Sequence, residues 1–301
     1  MTPDQSLSLA SLVCFGAGAA LAVGAFRWEV LGSAPVQLLV AGAGLLLKTA
    51  AIGMTCMSNQ THFFNSPSEV FGLFAWALAF SYLVALAVSA VRLLGLLILP
   101  LVVLLLLLSQ FSDTRTVDPG LPTGWLFAVH ILSAFLGYGL FLTSCGASVL
   151  YLEQNRLLKR KAFGFLFKNL PSLERLEHVE LVCAWAGLAL FTVAIGTGAI
   201  QTRALNKEFW LDSKVLAAQL TWAIFATLIV LRAAKWLYGR ALAKFVLAGA
   251  ALVLVTFVLS HPFARPTAVS ARETTSARWS ELQAPRAPCS RGGDSSEGRR
   301  L

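Results

Sequence analysis

Charged residues are scarce in this chain of 301 residues: Asp, Glu, Lys and Arg make up 13% of it, and hydrophobic residues 57%. Soluble domains carry about 25% charged residues, so this composition excludes an ordinary soluble domain. Long apolar runs separated by short polar breaks are typical of a protein that crosses the membrane several times. The run from Leu93 to Leu108, almost all Leu, Val and Ile, is the plainest example.

The chain also lacks the usual signs of a thiol site. Its five cysteines form no Cys-x-x-Cys pair, and four of them fall in apolar segments, where a free cysteine usually acts as a small hydrophobic residue. We therefore expect neither thiol exchange nor a thiolate zinc site. The first six residues contain no basic residue, so we expect no cleaved signal peptide.

The formal net charge of +9 does not indicate a nucleic-acid partner. The Lys and Arg residues lie in short loops between apolar segments and in a polar tail, where basic residues usually report membrane orientation. The lipid bilayer is the partner that this distribution favours, and we expect no nucleic acid.

About eight apolar segments have close to the roughly 20 residues that a bilayer crossing needs. The sequence therefore predicts an all-α, polytopic membrane helix bundle over residues 1–261, with about eight transmembrane helices. Residues 262–301 are rich in Ser, Pro, Arg and Gly and are predicted to form a disordered polar tail. The segments cover about residues 7–25, 36–56, 69–91, 93–109, 125–152, 179–202, 215–234 and 241–260.

Basic residues are distributed unevenly between the two sets of loops. The loop after the fifth segment is rich in Lys and Arg, whereas residues 57–68 contain none. The positive-inside rule then places the loop around Lys159 in the cytoplasm and both termini outside it, for a multi-pass protein of the bacterial inner membrane. The arginines of the tail argue against this orientation, because they would have to cross the membrane.

The chain has only four histidines, and three of them fall on the outer side in this topology: His62, His130 and His261. His130 lies near the outer end of the fifth segment, and His261 ends the eighth at nearly the same depth. Two imidazoles at matching depth could ligate haem iron from both sides. The alternatives are an interhelical hydrogen bond for His130 and an interfacial position for His261.

A short outer loop between these two histidines contains Trp210, Asp212 and Lys214. Aromatic residues there could cover the face of a flat macrocycle, and Lys214 could pair with an acidic group such as a propionate. Alternatively, Trp and Lys in such a loop anchor helices at the membrane interface.

Three other ionisable residues have less specific patterns. Lys48 lies within the second segment, where it could face the bundle interior, pair with a substrate or extend its ammonium to the surface. His62 lies in an outer loop and could contact a ligand. His178, beside Glu177 and Glu180, is typical of a solvated helix start.

Several segments in order resemble the cytochrome c assembly family of CcsA-like and CcmC-like membrane proteins. Residues 125–130 with Gly137 and Tyr138 resemble its "WLxxHV…GY" segment, and the resemblance covers about residues 40–260. It continues in Leu-Tyr-Leu-Glu-Gln at 150–154, Leu-Pro-Ser-Leu-Glu at 170–174, Gly-Thr-Gly-Ala at 196–199 and Leu-Asp-Ser-Lys at 211–214. The reduced tryptophan-rich loop, with Leu211 and Ser213 in place of Trp and Pro, is closer to the HemX-like and YpjD-like branch.

The resemblance implies a membrane protein that binds haem at the outer face and hands it to apocytochrome c. His130 matches the family's first axial ligand by motif, and His261 is placed like the second. We therefore expect a protein that binds haem b in cytochrome c biogenesis, with His130, His261, Trp210, Asp212 and Lys214 around the haem. Its partners would be haem, other cytochrome c assembly proteins and apocytochrome c, and it would act as an assembly factor rather than a conventional enzyme.

Two alternatives remain open at this stage. The HemX-like features suggest a non-catalytic membrane scaffold or regulator of tetrapyrrole synthesis, which would bind partners through the basic loop at 156–175. A secondary transporter would explain Lys48, but the sequence has no inverted repeat and no matching pair of broken helices.

Overall fold

The computed structural model describes residues 3–25, 34–58, 66–89, 91–112, 124–161, 167, 170–204 and 213–260. Within these ranges the long elements are eight α-helices, and no strand is found. They are α1 (Pro3–Ala25), α2 (Ala34–Ser58), α3 (Pro67–Ser89), α4 (Leu94–Phe111), α5 (Trp125–Lys159), α6 (Leu173–Ala204), α7 (Ser213–Ala233) and α8 (Gly239–Ser260).

Seven of these helices, α1 to α7, are long and apolar enough to cross a membrane. The prediction of an all-helical, polytopic membrane bundle is confirmed at this level. The eighth crossing, over the 22 residues of α8, stays a prediction. The predicted tail, residues 262–301, lies outside the described residues.

Helix α5 is longer than a bilayer requires. Its 35 residues would span about 52 Å at 1.5 Å per residue, whereas the hydrocarbon core is about 30 Å thick. The excess is the polar stretch that contains Arg156 and Lys159, so the helix continues past the apolar segment predicted at 125–152.

Helices α5 and α6 form an antiparallel pair joined along most of their length. The Ser144 hydroxyl donates a hydrogen bond to the carbonyl of Glu180 (2.8 Å), and the Gln201 amide donates to the carbonyl of Leu126 (3.1 Å). Between these points a Cβ added at Gly187 would lie 2.7 Å from Cε1 of Phe141. Small residues at such positions let two membrane helices approach closely.

Helix α3 also packs against α5. The hydroxyls of Ser81 and Thr143 lie 2.8 Å apart, and the rings of Phe74 and Phe135 pack with centroids 5.8 Å apart. Helix α7 contacts the same core through Phe225, whose ring stacks on Phe141 at a centroid distance of 3.7 Å. Helix α5 is therefore in contact with α3, α6 and α7, and it also packs along α8.

Candidate ligand site at the start of helix α5

His130 lies about one and a half turns into α5, which begins at Trp125. Gly124 precedes the helix with φ of 120°, a left-handed conformation that favours glycine. The imidazole is partly buried between α5 and α6. Because α5 and α6 are antiparallel, His130 faces the last turns of α6, and we call this end of the bundle the His130 end.

One imidazole nitrogen of His130 is fixed by the backbone of α6. Its Nδ1 lies 2.8 Å from the carbonyl oxygen of Ala194. A carbonyl oxygen only accepts, so Nδ1 must carry the hydrogen and donate it. In a neutral imidazole with this tautomer, Nε2 has a lone pair available to a ligand, and no described residue forms a hydrogen bond with it.

Two further residues of α6 contact the same ring. The hydroxyl oxygen of Thr197 lies 3.5 Å from His130 Nδ1, and it donates its own hydrogen to the carbonyl of Val193 (2.8 Å) or Ala194 (3.0 Å). Gly198 lies directly under the ring, because a Cβ there would be 2.9 Å from His130 Cε1. The imidazole is therefore held on one edge and one face by a single turn of α6.

Among the other predicted site residues, the structure describes only the backbone of Lys214. His261, Trp210, Asp212 and His62 lie outside the described residues, so the predicted pairing of His130 with His261 stays a prediction. Lys214 lies in the first turn of α7, and only its backbone is described.

The directions of α7 and α8 bear on these residues. The indole nitrogen of Trp222 in α7 donates to the hydroxyl of Thr192 in α6 (2.9 Å), and α7 runs antiparallel to α6, so α7 begins at the His130 end. Helix α8 begins with Gly239 beside the Tyr151 hydroxyl, far along α5, and runs back toward the His130 end.

The described part of the chain forms no evident site for a free metal ion. It contains no group of three or more His, Cys, Asp or Glu side chains close enough to hold a metal ion. A metal bound by His130 would need most of its ligands from outside the described residues. Iron in a porphyrin meets this need, because the porphyrin nitrogens supply most of its ligands.

The model of the family described as "Cytochrome C assembly protein" matches residues 61–262. The chain belongs to the cytochrome c assembly family. His130, Ala194, Thr197 and Gly198 all lie within the matched segment, whereas Lys48 precedes it. The resemblance found in the sequence is thereby confirmed.

Three curated proteins each match part of the chain. The chain is 31% identical to protein HemX of Brevibacillus brevis over 138 residues, 45% of this chain and 48% of that protein. It is 28% identical to protein HemX of Bacillus subtilis (strain 168) over 135 residues, 44% and 49% of the two chains. It is 26% identical to cytochrome c biogenesis protein CcsA of Welwitschia mirabilis over 158 residues, 45% and 52% of the two chains. The chain thus spans about half the length of the curated relatives it matches.

Lys48 faces the interior of the bundle, one of the positions considered from the sequence. It is 6% exposed, and its ammonium donates a hydrogen bond to the Ser8 hydroxyl (3.0 Å), which also accepts from the Gln110 amide (2.8 Å). Gly72 leaves room for the ammonium, because a Cβ there would lie 2.9 Å from Nζ. The contacts of Lys48 come from Ser8 of α1 and Gly72 of α3, and Ser8 in turn connects it to Gln110 of α4. None of the described contacts links Lys48 to His130.

His178 is exposed, as expected for a solvated residue near a helix start, whereas Glu180 on the same helix is buried. Glu180 is 1% exposed, and neither of its carboxylate oxygens accepts a hydrogen bond of normal geometry from a described residue; the hydroxyl of Ser148 beside it donates to the carbonyl of Ser144 (3.0 Å). Glu177, one turn away, pairs with Arg232 of α7 at 2.9 Å. Helical spacing could have revealed Glu180, because Leu176 and Cys183 beside it on the same face are also buried.

Proposed function

We propose that this member of the cytochrome c assembly family binds haem at the His130 end and handles or delivers it during cytochrome c biogenesis. The observation that carries the proposal is the hydrogen bond from His130 Nδ1 to the carbonyl of Ala194. Metal-binding histidines almost always donate their second ring N–H to such an acceptor, which fixes the tautomer and strengthens the ligand.

The chemistry of the site fits haem better than a bare ion. His130 offers one neutral imidazole nitrogen, the ligand that haem iron commonly takes from proteins. Haem would bring most of the remaining iron ligands in its own ring, together with the vinyl groups that are joined to an apocytochrome. The chain's own residues would hold the iron, orient the macrocycle and exclude water.

Further residues complete the proposed site. His261 would supply a second ligand to the iron, Trp210 would cover the macrocycle, and Lys214 would pair with its acidic edge. Asp212 belongs to the same loop as Trp210 and Lys214 and would be the third loop residue at the haem. The directions of α7 and α8 support this arrangement, because both helices have the relevant terminus at the His130 end. We further propose haem b, apocytochrome c and other assembly proteins as partners, in a bacterial inner membrane with both termini outside the cytoplasm.

Titration of the purified protein in detergent with haem tests this proposal. We expect a Soret band of a histidine-ligated haem in the wild type, and a weakened and shifted band in His130→Ala and His261→Ala. His178→Ala is the matched control, because His178 is exposed and lies near the opposite end of α6. A missing Soret band in the wild type, or the same band in all four proteins, would contradict haem ligation by these histidines.

A regulator or scaffold of tetrapyrrole synthesis is the second candidate, favoured by the similarity to the two HemX proteins. In this case the basic loop between α5 and α6 would bind an enzyme of tetrapyrrole synthesis. Replacing Lys159, Arg160, Lys161 and Lys168 of this loop by Gln should then abolish co-purification of that enzyme, while the haem spectrum stays unchanged. Retention of the enzyme by the quadruple variant argues against this candidate.

A further inference from the structure

We propose that Thr197 and Gly198 are positioning residues for His130, and that they determine how strongly its Nε2 binds iron. Together with the carbonyl of Ala194 they form one turn of α6 against the imidazole, which we call the imidazole seat. The inference rests on the proposed function, since it concerns the strength of haem ligation by the same histidine.

The seat selects a single tautomer of His130. Both oxygen atoms near the ring, Ala194 O at 2.8 Å and Thr197 Oγ1 at 3.5 Å, lie on the side of Nδ1. The Thr197 hydrogen is already donated to a backbone carbonyl, so its oxygen presents a lone pair to the ring. The other tautomer would place the Nδ1 lone pair against two acceptors, which is repulsive, and it would protonate the nitrogen that must bind iron.

The seat also sets the position of the ring. A Cβ at Gly198 would lie 2.9 Å from Cε1 and 3.1 Å from Nδ1 of His130, closer than side-chain carbons normally approach. An alanine at this position must push the imidazole away from α6. This movement lengthens the bond to Ala194 and turns Nε2 away from its present direction, although the substitution adds only one methyl group.

The same helix provides an internal reference for this effect. Gly196 lies two residues earlier, and a Cβ there meets nothing within 4 Å. Alanine is favoured over glycine inside a helix, so Gly196→Ala should stabilise α6 slightly. Gly198→Ala has the same intrinsic gain, and any opposite effect on haem is therefore due to the contact with His130.

The experiment measures the haem dissociation constant, the Soret position and the midpoint potential of the full chain in detergent. Losing a hydrogen-bonding partner of a metal-binding histidine typically lowers affinity about 10- to 100-fold. We expect a loss of this size and a changed potential in Gly198→Ala, and no change in Gly196→Ala. Thr197→Val should shift the potential in the same direction to a smaller extent, and Thr197→Ser should restore the wild-type value.

The outcomes separate the two proposals. If wild-type protein binds haem through His130 but Gly198→Ala matches Gly196→Ala in affinity and potential, the imidazole seat is wrong and the proposed function stands. If wild-type protein binds no haem, both are wrong. Should Gly198→Ala fail to fold, the Thr197 pair decides, because equal potentials in the valine and serine variants contradict the seat.

Discussion

Replacing Gly139 by leucine is expected to separate α3 from α5 and to destabilise the whole bundle. A Cβ at Gly139 would lie 2.8 Å from the carbonyl oxygen of Ala77, 3.0 Å from its carbonyl carbon and 3.1 Å from the nitrogen of Leu78. These are backbone atoms, so no side-chain rotation can relieve the clash. Overpacking of a tight core costs about 1–3 kcal/mol and sometimes more, and here the whole of α3 would have to move.

The effect should appear as a lower midpoint of thermal unfolding in detergent and a lower yield of folded protein. Loss of the contact would also break the hydrogen bond between Ser81 and Thr143, one turn further along the same pair of helices. Gly53→Leu in α2 is the control, since Gly53 is exposed and a Cβ there meets nothing within 4 Å. Equal stability of the two leucine variants would show that α3 and α5 do not meet as described.

The helices could be predicted from sequence because hydropathy and length decide which segments can cross a bilayer. Their ends were harder to predict, as the sixth segment shows. The apolar run begins near Val179, but α6 begins at Leu173, immediately after Ser172, whose hydroxyl accepts a hydrogen bond from the backbone N–H of Arg175 (3.4 Å). Hydropathy marks the part of a helix in lipid, whereas a capping residue determines where the helix starts.

The candidate site could be predicted only in part for a related reason. His130 was recognisable because an ionisable residue inside an apolar segment is unusual. Its partner was not, because the acceptor is the backbone carbonyl of Ala194, 64 positions away, and a backbone carbonyl has no residue signature. The glycine at 198 was visible in the sequence, but its role depends on the register between α5 and α6, which hydropathy does not determine.

Glu180 gives the second large expected effect, and it has the opposite sign. Replacing Glu180 by leucine should raise the free energy of unfolding by about 1–3 kcal/mol, the usual cost of a buried polar group without a partner. The side chain is 1% exposed, and its carboxylate oxygens accept no hydrogen bond of normal geometry from a described residue. The hydroxyl of Ser148, which lies beside the carboxyl group, donates to the carbonyl of Ser144 (3.0 Å) instead. Leucine has a similar size and removes the need to take a carboxyl group out of water.

Glu177, on the same helix, provides the matched comparison for Glu180→Leu. Glu177 pairs with Arg232 at 2.9 Å and is partly exposed, so Glu177→Leu should lower stability by about 1 kcal/mol, because the guanidinium loses its counter-charge. Unfolding by heat or by denaturing detergent measures both variants in the same way. Two glutamates three positions apart on one helix should therefore shift the unfolding midpoint in opposite directions. A decrease in both would mean that Glu180 has a stabilising partner and that its carboxyl group is satisfied inside the bundle.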